Sequence, residues 1–184
     1  MNDTTHVLAI RELIDRLSRL NAAEDWNGPL NPSQFAALAY LARANRFSRA
    51  PSHVAAYLAT TRGTASQTLK ALARKNLINE TRSETDKRSI RYDVTDEGKA
   101  LLDDPVSDLS GVIDDLPAET VEALAGSLKT LVLAILRKRG GRSFGICRSC
   151  RHFAQISGGA HCNLLEVPLN QSDSEQICHE HEAA

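Results

Sequence analysis

The side chains with the most specific chemistry are four thiols near one end of the chain. The sequence has four cysteines and six histidines, and all the cysteines and four of the histidines fall within residues 147–184. Two residues separate Cys147 from Cys150, so a single turn of backbone can offer both sulfurs to one ion. Cys162 follows after 11 intervening residues and Cys178 after a further 15. In a reducing compartment such spacing points to metal ligands more often than to disulfides. The set predicts one metal centre per chain, with Cys147, Cys150, Cys162 and Cys178 as ligands. Zinc is the first expectation, and an iron–sulfur cluster is the alternative, since four thiolates suit both. Free or redox-switching thiols are the third reading. His152, His161, His179 or His181 could replace one cysteine, although each alone reads as a bystander. A segment this small cannot hold itself together by apolar burial alone.

A second chemistry lies upstream, in Thr60–Ile78, TTRGTASQTLKALARKNLI. At 100° per residue Ala65, Leu69 and Leu72 form one narrow apolar stripe with Asn76 at its end. Opposite lie Gly63, Gln67, Lys70 and Arg74, with Thr64 and Ser66 flanking. Thr61 suits the N-cap, and Lys75 and Asn76 suit the C-terminus. Short polar groups lead and cations follow. This is the order a helix needs to reach base edges in a major groove while holding phosphates behind. An ordinary solvated face would look similar, so the flanking sequence decides.

Net charge is −1, but its distribution is uneven. Arg43–Arg91 carries eleven Lys/Arg against three Asp/Glu, whereas Tyr92–Glu122 carries one Lys against ten Asp/Glu. A basic middle beside an acidic flank predicts an anionic partner met by the middle alone.

The elements that must position these groups read mainly as helix. Thr5–Ala23 carries Val7, Ile10, Ile14, Leu17 and Asn21 at alternating spacings of three and four, widened by Leu13 and Leu20, a face suited to another helix. Trp26–Leu30 reads as a turn. Asn31-Pro32-Ser33-Gln34 is a helix start, and the helix runs to about Ala44. Pro51 opens a short helix through Ala59, and Thr60–Arg62 turns into the amphipathic stretch. Helix, tight turn and polar-faced helix make a helix-turn-helix. Leu77–Thr95 then reads as a β-hairpin, with Ile78, Glu80 and Arg82 outbound and Ile90, Tyr92 and Val94 returning. Lys87 and Arg88 stand at its tip. A helix-turn-helix followed by a basic-tipped hairpin is a winged helix.

GTASQTLKALARKNLI followed by TDKRSIRYDVTDEGKALL resembles the core of the MarR family of transcription regulators, over roughly Thr5–Arg139. That family carries an Asp-x-Arg motif in the wing and a Thr-x-x-Gly at the start of the next helix. Here Asp86-Lys87-Arg88 and Thr95-Asp96-Glu97-Gly98 stand in those places. The resemblance implies that Arg88 reaches toward the minor groove with Asp86 as its brace. It places recognition-helix roles on Arg62, Thr64, Ser66, Gln67 and Lys70, and it implies an obligate homodimer built from terminal helices. The cysteine-rich tail departs from the family pattern.

The later sequence supports a dimer independently. Asp96–Leu116 is helical in pattern, with a kink expected at Pro105. A further helix restarts at Leu116-Pro117-Ala118-Glu119. It carries Val121, Leu124, Leu128, Leu131, Val132, Ile135 and Leu136 to Arg137–Arg139. One monomer offers no obvious cover for these seams and the first helix, an internal helical bundle being the alternative. A twofold axis would cover them and set two recognition helices about 34 Å apart.

The expected fold is mainly α with a small β-hairpin wing, divided into an N-terminal dimerisation helix (1–30), a winged helix-turn-helix (31–95), C-terminal dimerisation helices (96–139), a linker (140–145) and a cysteine-rich metal-binding tail (146–184). The longest apolar run, Phe35–Ala42, is far short of a bilayer span, and no export pattern opens the chain, so a cytoplasmic protein is expected. The expected function is a dimeric regulator of transcription, a repressor that binds double-stranded DNA and answers to a small-molecule, metal or redox signal. The alternative is a winged-helix module that binds protein, with its tail as a zinc clip. No Ser/His/Asp grouping, phosphate-cradling glycine loop or paired-carboxylate site stands out, and the Cys/His cluster has too many thiols for an open catalytic zinc site, so an enzyme is not expected.

Overall fold

The computed structural model describes residues 3–24, 28–82, 90–102 and 108–183. Helix α1 is Asp3–Glu24, α2 is Pro32–Arg43, α3 is Pro51–Tyr57 and α4 is Arg62–Arg74. The start of α2 follows from its first residues. The Asn31 side chain accepts from the Gln34 amide at 2.9 Å, the Gln34 side chain accepts from the Asn31 amide at 3.4 Å, and Pro32 supplies a helical φ without needing a partner. Helix α4 begins in the same manner, with Thr61 accepting from the Thr64 amide at 3.1 Å. It ends where Asn76 turns left-handed at φ 58°, and the Leu77 amide closes onto the Leu72 carbonyl at 3.1 Å.

The core is where α2, α3 and α4 meet. Leu38, Leu41, Val54, Leu69 and Leu72 are fully buried there, and burial of each such side chain contributes about 1.5–3 kcal/mol. Strands β1 (Ile78–Arg82) and β2 (Ile90–Val94) pair antiparallel, with Ile78 opposite Val94 and Glu80 opposite Tyr92. The expected alternation holds, and Tyr92 turns into the core.

Asp96–Leu116 is not one kinked helix. Helix α5 (Asp96–Ala100) closes in a turn at Leu101 and Leu102, and a separate α6 spans Asp108–Asp114; Pro105 lies outside the described residues. Helix α7 runs from Ala118 to Lys138 with no buried residue, and Val7, Leu8, Ile10, Leu13, Ile14, Leu17 and Leu20 of α1 all stand exposed. Both helices therefore present apolar faces that the other described residues do not cover.

Residues 140–145, expected as a linker, do not leave the tail free. Phe144 packs edge-on to Tyr57 and Tyr40, with ring centroids at 5.4 and 6.1 Å. Strand β3 (Gly145–Ile146) pairs with β7 (Ile177–Cys178), and a 3-10 turn covers Cys147–Ser149. Strands β4 (Phe153–Ile156), β5 (Gly159–Cys162) and β6 (Val167–Leu169) form an antiparallel meander, and α8 is Gln171–Glu175. Ile177 is 3% exposed and belongs to the same apolar cluster as Leu38, Leu41 and Leu72. The tail is thus a wall of the winged-helix core. Its contacts pair residues more than a hundred positions apart, which no local periodicity announces.

Candidate nucleic-acid interface and cysteine cluster

Helix α4 divides its faces as the stripe predicts. Ala65, Leu69 and Leu72 are buried against α2 and α3, while Arg62, Gly63, Thr64, Gln67, Lys70 and Arg74 are exposed and Ser66 is half-buried. Thr64 is partly engaged at home, its hydroxyl 2.8 Å from that of Thr61. Arg62, Lys70 and Arg74 form no ion pair with another described residue, so their charge is available to an external anion. Other cations of the basic middle have internal roles. Arg49 binds Asp93 at 2.6 Å and the Ala44 carbonyl at 2.9 Å, and Lys75 caps the Pro29 carbonyl at 2.6 Å.

The wing flanks this face. Gln67, Lys70, Ala73, Arg74 and Glu80 line an open groove between α4 and β1. Glu80 accepts from the Tyr92 hydroxyl at 2.8 Å and from Arg82 at 2.9 Å, and these bonds hold its carboxyl below the usual range. The pairing was latent in the alternation of the two strands, because Glu80 and Tyr92 lie on one face. Asp86, Lys87 and Arg88 fall outside the described residues.

The four cysteines are all free and buried. Cys147 and Cys150 bracket the 3-10 turn, which closes through the Cys150 amide to the Cys147 carbonyl at 3.0 Å. Cys162 ends β5 and Cys178 ends β7. Burial, reinforced by the other three cysteines, pushes the Cys147 thiol up to about 12. Burial also raises Cys178, against the pull of the Glu180 amide and the Asn45 side chain. The Glu182 amide donates to Cys150 Sγ at 3.4 Å. As placed, no group of three or more His, Cys, Asp or Glu side chains among the described residues is gathered closely enough to hold an ion. The donor set is nonetheless suited to one: buried thiols beside N–H donors, with no carboxylate required.

Each tail histidine has another partner. His181 contacts the Ser143 hydroxyl at 2.9 Å and the Ser149 hydroxyl at 3.0 Å, and its ring covers Gly145 so closely that a Cβ there would come within 2.4 Å. His152 faces Glu182 at 3.4 Å and His161 faces Asn163 at 3.3 Å. His179 stacks on His53 with ring centroids 3.5 Å apart.

Sequence reasoning missed one grouping. Ser48 Oγ lies 3.2 Å from His179 Nδ1, and His179 Nε2 lies 3.1 Å from Glu180. The order is that of a hydrolytic triad, yet Ser48 is fully buried, donates to Asn45 at 2.7 Å and accepts from the His179 amide at 2.9 Å. With its single proton committed and no exposed surface, that hydroxyl serves packing. The α2–α3 corner reads Ala44-Asn45-Arg46-Phe47-Ser48-Arg49, too polar for Asn45 and Ser48 to stand out from the sequence.

Residues 29–89 match the family model described as MarR family. Among solved structures the chain is similar to the MepR–DNA complex of S. aureus, at 20% identity and a TM-score of 0.56, covering 70% of this chain and 96% of that one. It is also similar to the transcriptional regulator BldR from Sulfolobus solfataricus, at 19% identity and a TM-score of 0.60, covering 73% and 99%. The third is Streptococcus pneumoniae FabT in complex with DNA, at 18% identity and a TM-score of 0.53, covering 73% and 97%. No curated protein matches the chain. These likenesses establish a MarR-type winged-helix fold. No helix among the described residues is long and apolar enough to cross a membrane.

Proposed function

We propose that the chain is a MarR-type regulator of transcription that binds double-stranded DNA as a homodimer and represses by occluding a promoter. The observation that carries this reading is the outer face of α4: Gln67 and Thr64 for base edges, with Arg62, Lys70 and Arg74 unpaired among the described residues for phosphates. Two solved relatives of the fold, MepR and FabT, are complexes with DNA. The dimer is supported by the uncovered faces of α1 and α7, which in water would expose a long apolar seam. The roles that the MarR resemblance implies for Asp86, Lys87 and Arg88, with Arg88 reaching the minor groove and Asp86 bracing it, belong to this reading, although these residues lie outside the described ones.

The tail's role in this reading is to hold one metal centre through Cys147, Cys150, Cys162 and Cys178, with zinc preferred and an iron–sulfur cluster the alternative. Support comes from four buried free thiols in one small unit, from the amide donor at Cys150, and from the other engagements of all four tail histidines. An ion would draw the sulfurs inward and take them as thiolates. The reading is tested by selection from a random duplex library with full-length protein, followed by sedimentation of the complex. A palindromic site bound by two chains is expected. Retention of no duplex, or binding by single chains, contradicts it.

A further inference from the structure

We propose that the docked tail is a strut between the dimerisation helix α7 and the winged helix, so that the anchoring of Phe144 sets how the two recognition helices of a dimer are spaced on DNA. The inference rests on the reading of the chain as a homodimer on paired half-sites, and it adds what determines the half-site spacing. It is independent of what the four cysteines hold.

The strut begins at the end of α7. The Gly140 amide donates to the Arg137 carbonyl at 3.2 Å and the Gly141 amide to the Leu136 carbonyl at 2.8 Å, with Gly140 left-handed at φ 63°. This double closure fixes the direction in which the chain leaves the helix. Only Arg142 and Ser143 stand between Gly141 and Phe144, a reach of at most about 11 Å. Both are themselves fastened. Arg142 ion-pairs with Glu180, and the Ser143 hydroxyl donates to the His181 carbonyl at 2.6 Å.

The other end is set in the winged helix. Phe144, left-handed at φ 51°, presents its ring edge-on to Tyr57 of α3 and Tyr40 of α2, whose own rings stack with centroids 4.4 Å apart. A bulky residue persists in that backbone region only where its surroundings hold it. Phe144 and Ile146 pack on the same apolar cluster as Leu38 and Leu69. Strand β3 carries the hold onward, since Ile146 pairs with Ile177, and the Ile177 carbonyl accepts from the Asn45 amide at 2.9 Å. Arg46 ties the same corner to the Pro168 carbonyl at 2.9 Å and to Asp173 at 3.3 Å. Helix α3 packs directly on α4, and the Thr60 amide donates to the Ala55 carbonyl at 3.0 Å, so the recognition helix follows any movement of α3. The other two joins between the winged helix and the terminal helices pass through residues 25–27 and 103–107, which lie outside the described residues.

The consequence is mechanical. In the proposed dimer α7 belongs to the interface, and a short, anchored join leaves each recognition helix one position relative to it. A base pair added between half-sites shifts one of them by about 3.4 Å and turns it by about 35°. A stiff pair of binding units rejects that displacement, whereas a slack pair tolerates it at a lower best affinity.

The test uses the full chain on its selected palindrome and on duplexes with one or two base pairs added between the half-sites. The unmodified protein is compared with Phe144→Ala and with a variant carrying a Gly-Ser-Gly-Ser insertion between Gly141 and Arg142, which slackens the tie to α7 and leaves the tail docked. Sedimentation reads the number of chains bound, and hydrogen exchange in peptides covering 40–58 and 142–181 reads docking. The unmodified protein should lose at least about thirtyfold in affinity when one base pair is added. In the insertion variant that ratio should fall below about fivefold, with two chains still bound and exchange unchanged in both peptides. Phe144→Ala should narrow the ratio in the same direction. A docked, dimeric insertion variant that keeps the full ratio overturns the strut while the DNA-binding reading stands, and so does an unmodified dimer indifferent to spacing. Faster exchange in the tail of the insertion variant would show that α7 holds the tail in place, which also overturns the strut. A full ratio in Phe144→Ala overturns the assignment to the aromatic corner. A chain that binds no duplex, or binds singly, overturns the proposed function and the strut with it.

Discussion

Gly98 lies so close to Leu77 that a Cβ at position 98 would stand 2.3 Å from the Leu77 carbonyl oxygen and 2.8 Å from Val94 Cγ1. The same carbonyl accepts from the Thr95 amide at 3.1 Å, and Thr95 caps α5 by accepting from the Gly98 amide at 3.0 Å. The Thr-x-x-Gly pattern is therefore the joint between hairpin and following helix, with a cap at one end and a close approach at the other. Gly98→Ala should destabilise the fold by about 2–3 kcal/mol or more, since backbone and not a flexible side chain would have to move. Urea unfolding of both proteins checks this, and equal midpoints would mean that the joint relaxes freely.

A comparable contact closes the tail. Gly145→Ala would drive a methyl group into the His181 ring, which Ser143 and Ser149 hold from both sides. We expect a loss of about 1–3 kcal/mol, together with faster proteolysis of residues 146–183 than of the helical part. Unchanged proteolysis would show that His181 swings aside.

On the DNA face, Gln67→Ala and Lys70→Ala should differ in kind. Loss of a base-reading amide should cost about 1–3 kcal/mol on the selected site and relax one position. Loss of a phosphate cation should weaken binding to all duplexes and reduce the salt slope by about one. Titrations of both variants at several salt concentrations separate the two, and identical losses on specific and random DNA would mean the roles are misassigned.

For the wing, Arg88→Ala should weaken binding more than Lys87→Ala, and Asp86→Ala should also weaken it although it removes a negative charge. A gain of affinity in Asp86→Ala, read in the same titrations, would show that charge alone governs the tip.

Much of the winged helix is legible in the sequence because its determinants are local. The Asn31–Gln34 capping box, the Thr61 cap, the left-handed Asn76 and the Ala65, Leu69, Leu72 stripe each act within a few residues. The alternation of Ile90, Tyr92 and Val94 sets the register of the hairpin for the same reason. The expectation of a helical Asp96–Leu116 kinked at Pro105 misses the break at Leu101 and Leu102, because apolar periodicity does not reveal that these two residues pack on the core. The docking of the tail is illegible for a different reason. It depends on Asn45, Ser48 and Ile177, whose partners are set by the tertiary fold and not by spacing. The expected metal centre is a reading of cysteine spacing, and nothing in that spacing says that β7 docks on the turn before α3 through Ile177 and His179.

The central claim is that α4 reads sequence in DNA, and a specificity ratio tests it most directly. Affinity of the full-length protein is measured on the selected palindrome and on a scrambled duplex of equal length at physiological salt. The account predicts a ratio of at least about a thousand, collapsing toward the non-specific level in a Gln67→Ala, Thr64→Ala double variant that keeps all its cations. A ratio near one for the unmodified protein, or a ratio untouched by the double variant, would contradict it.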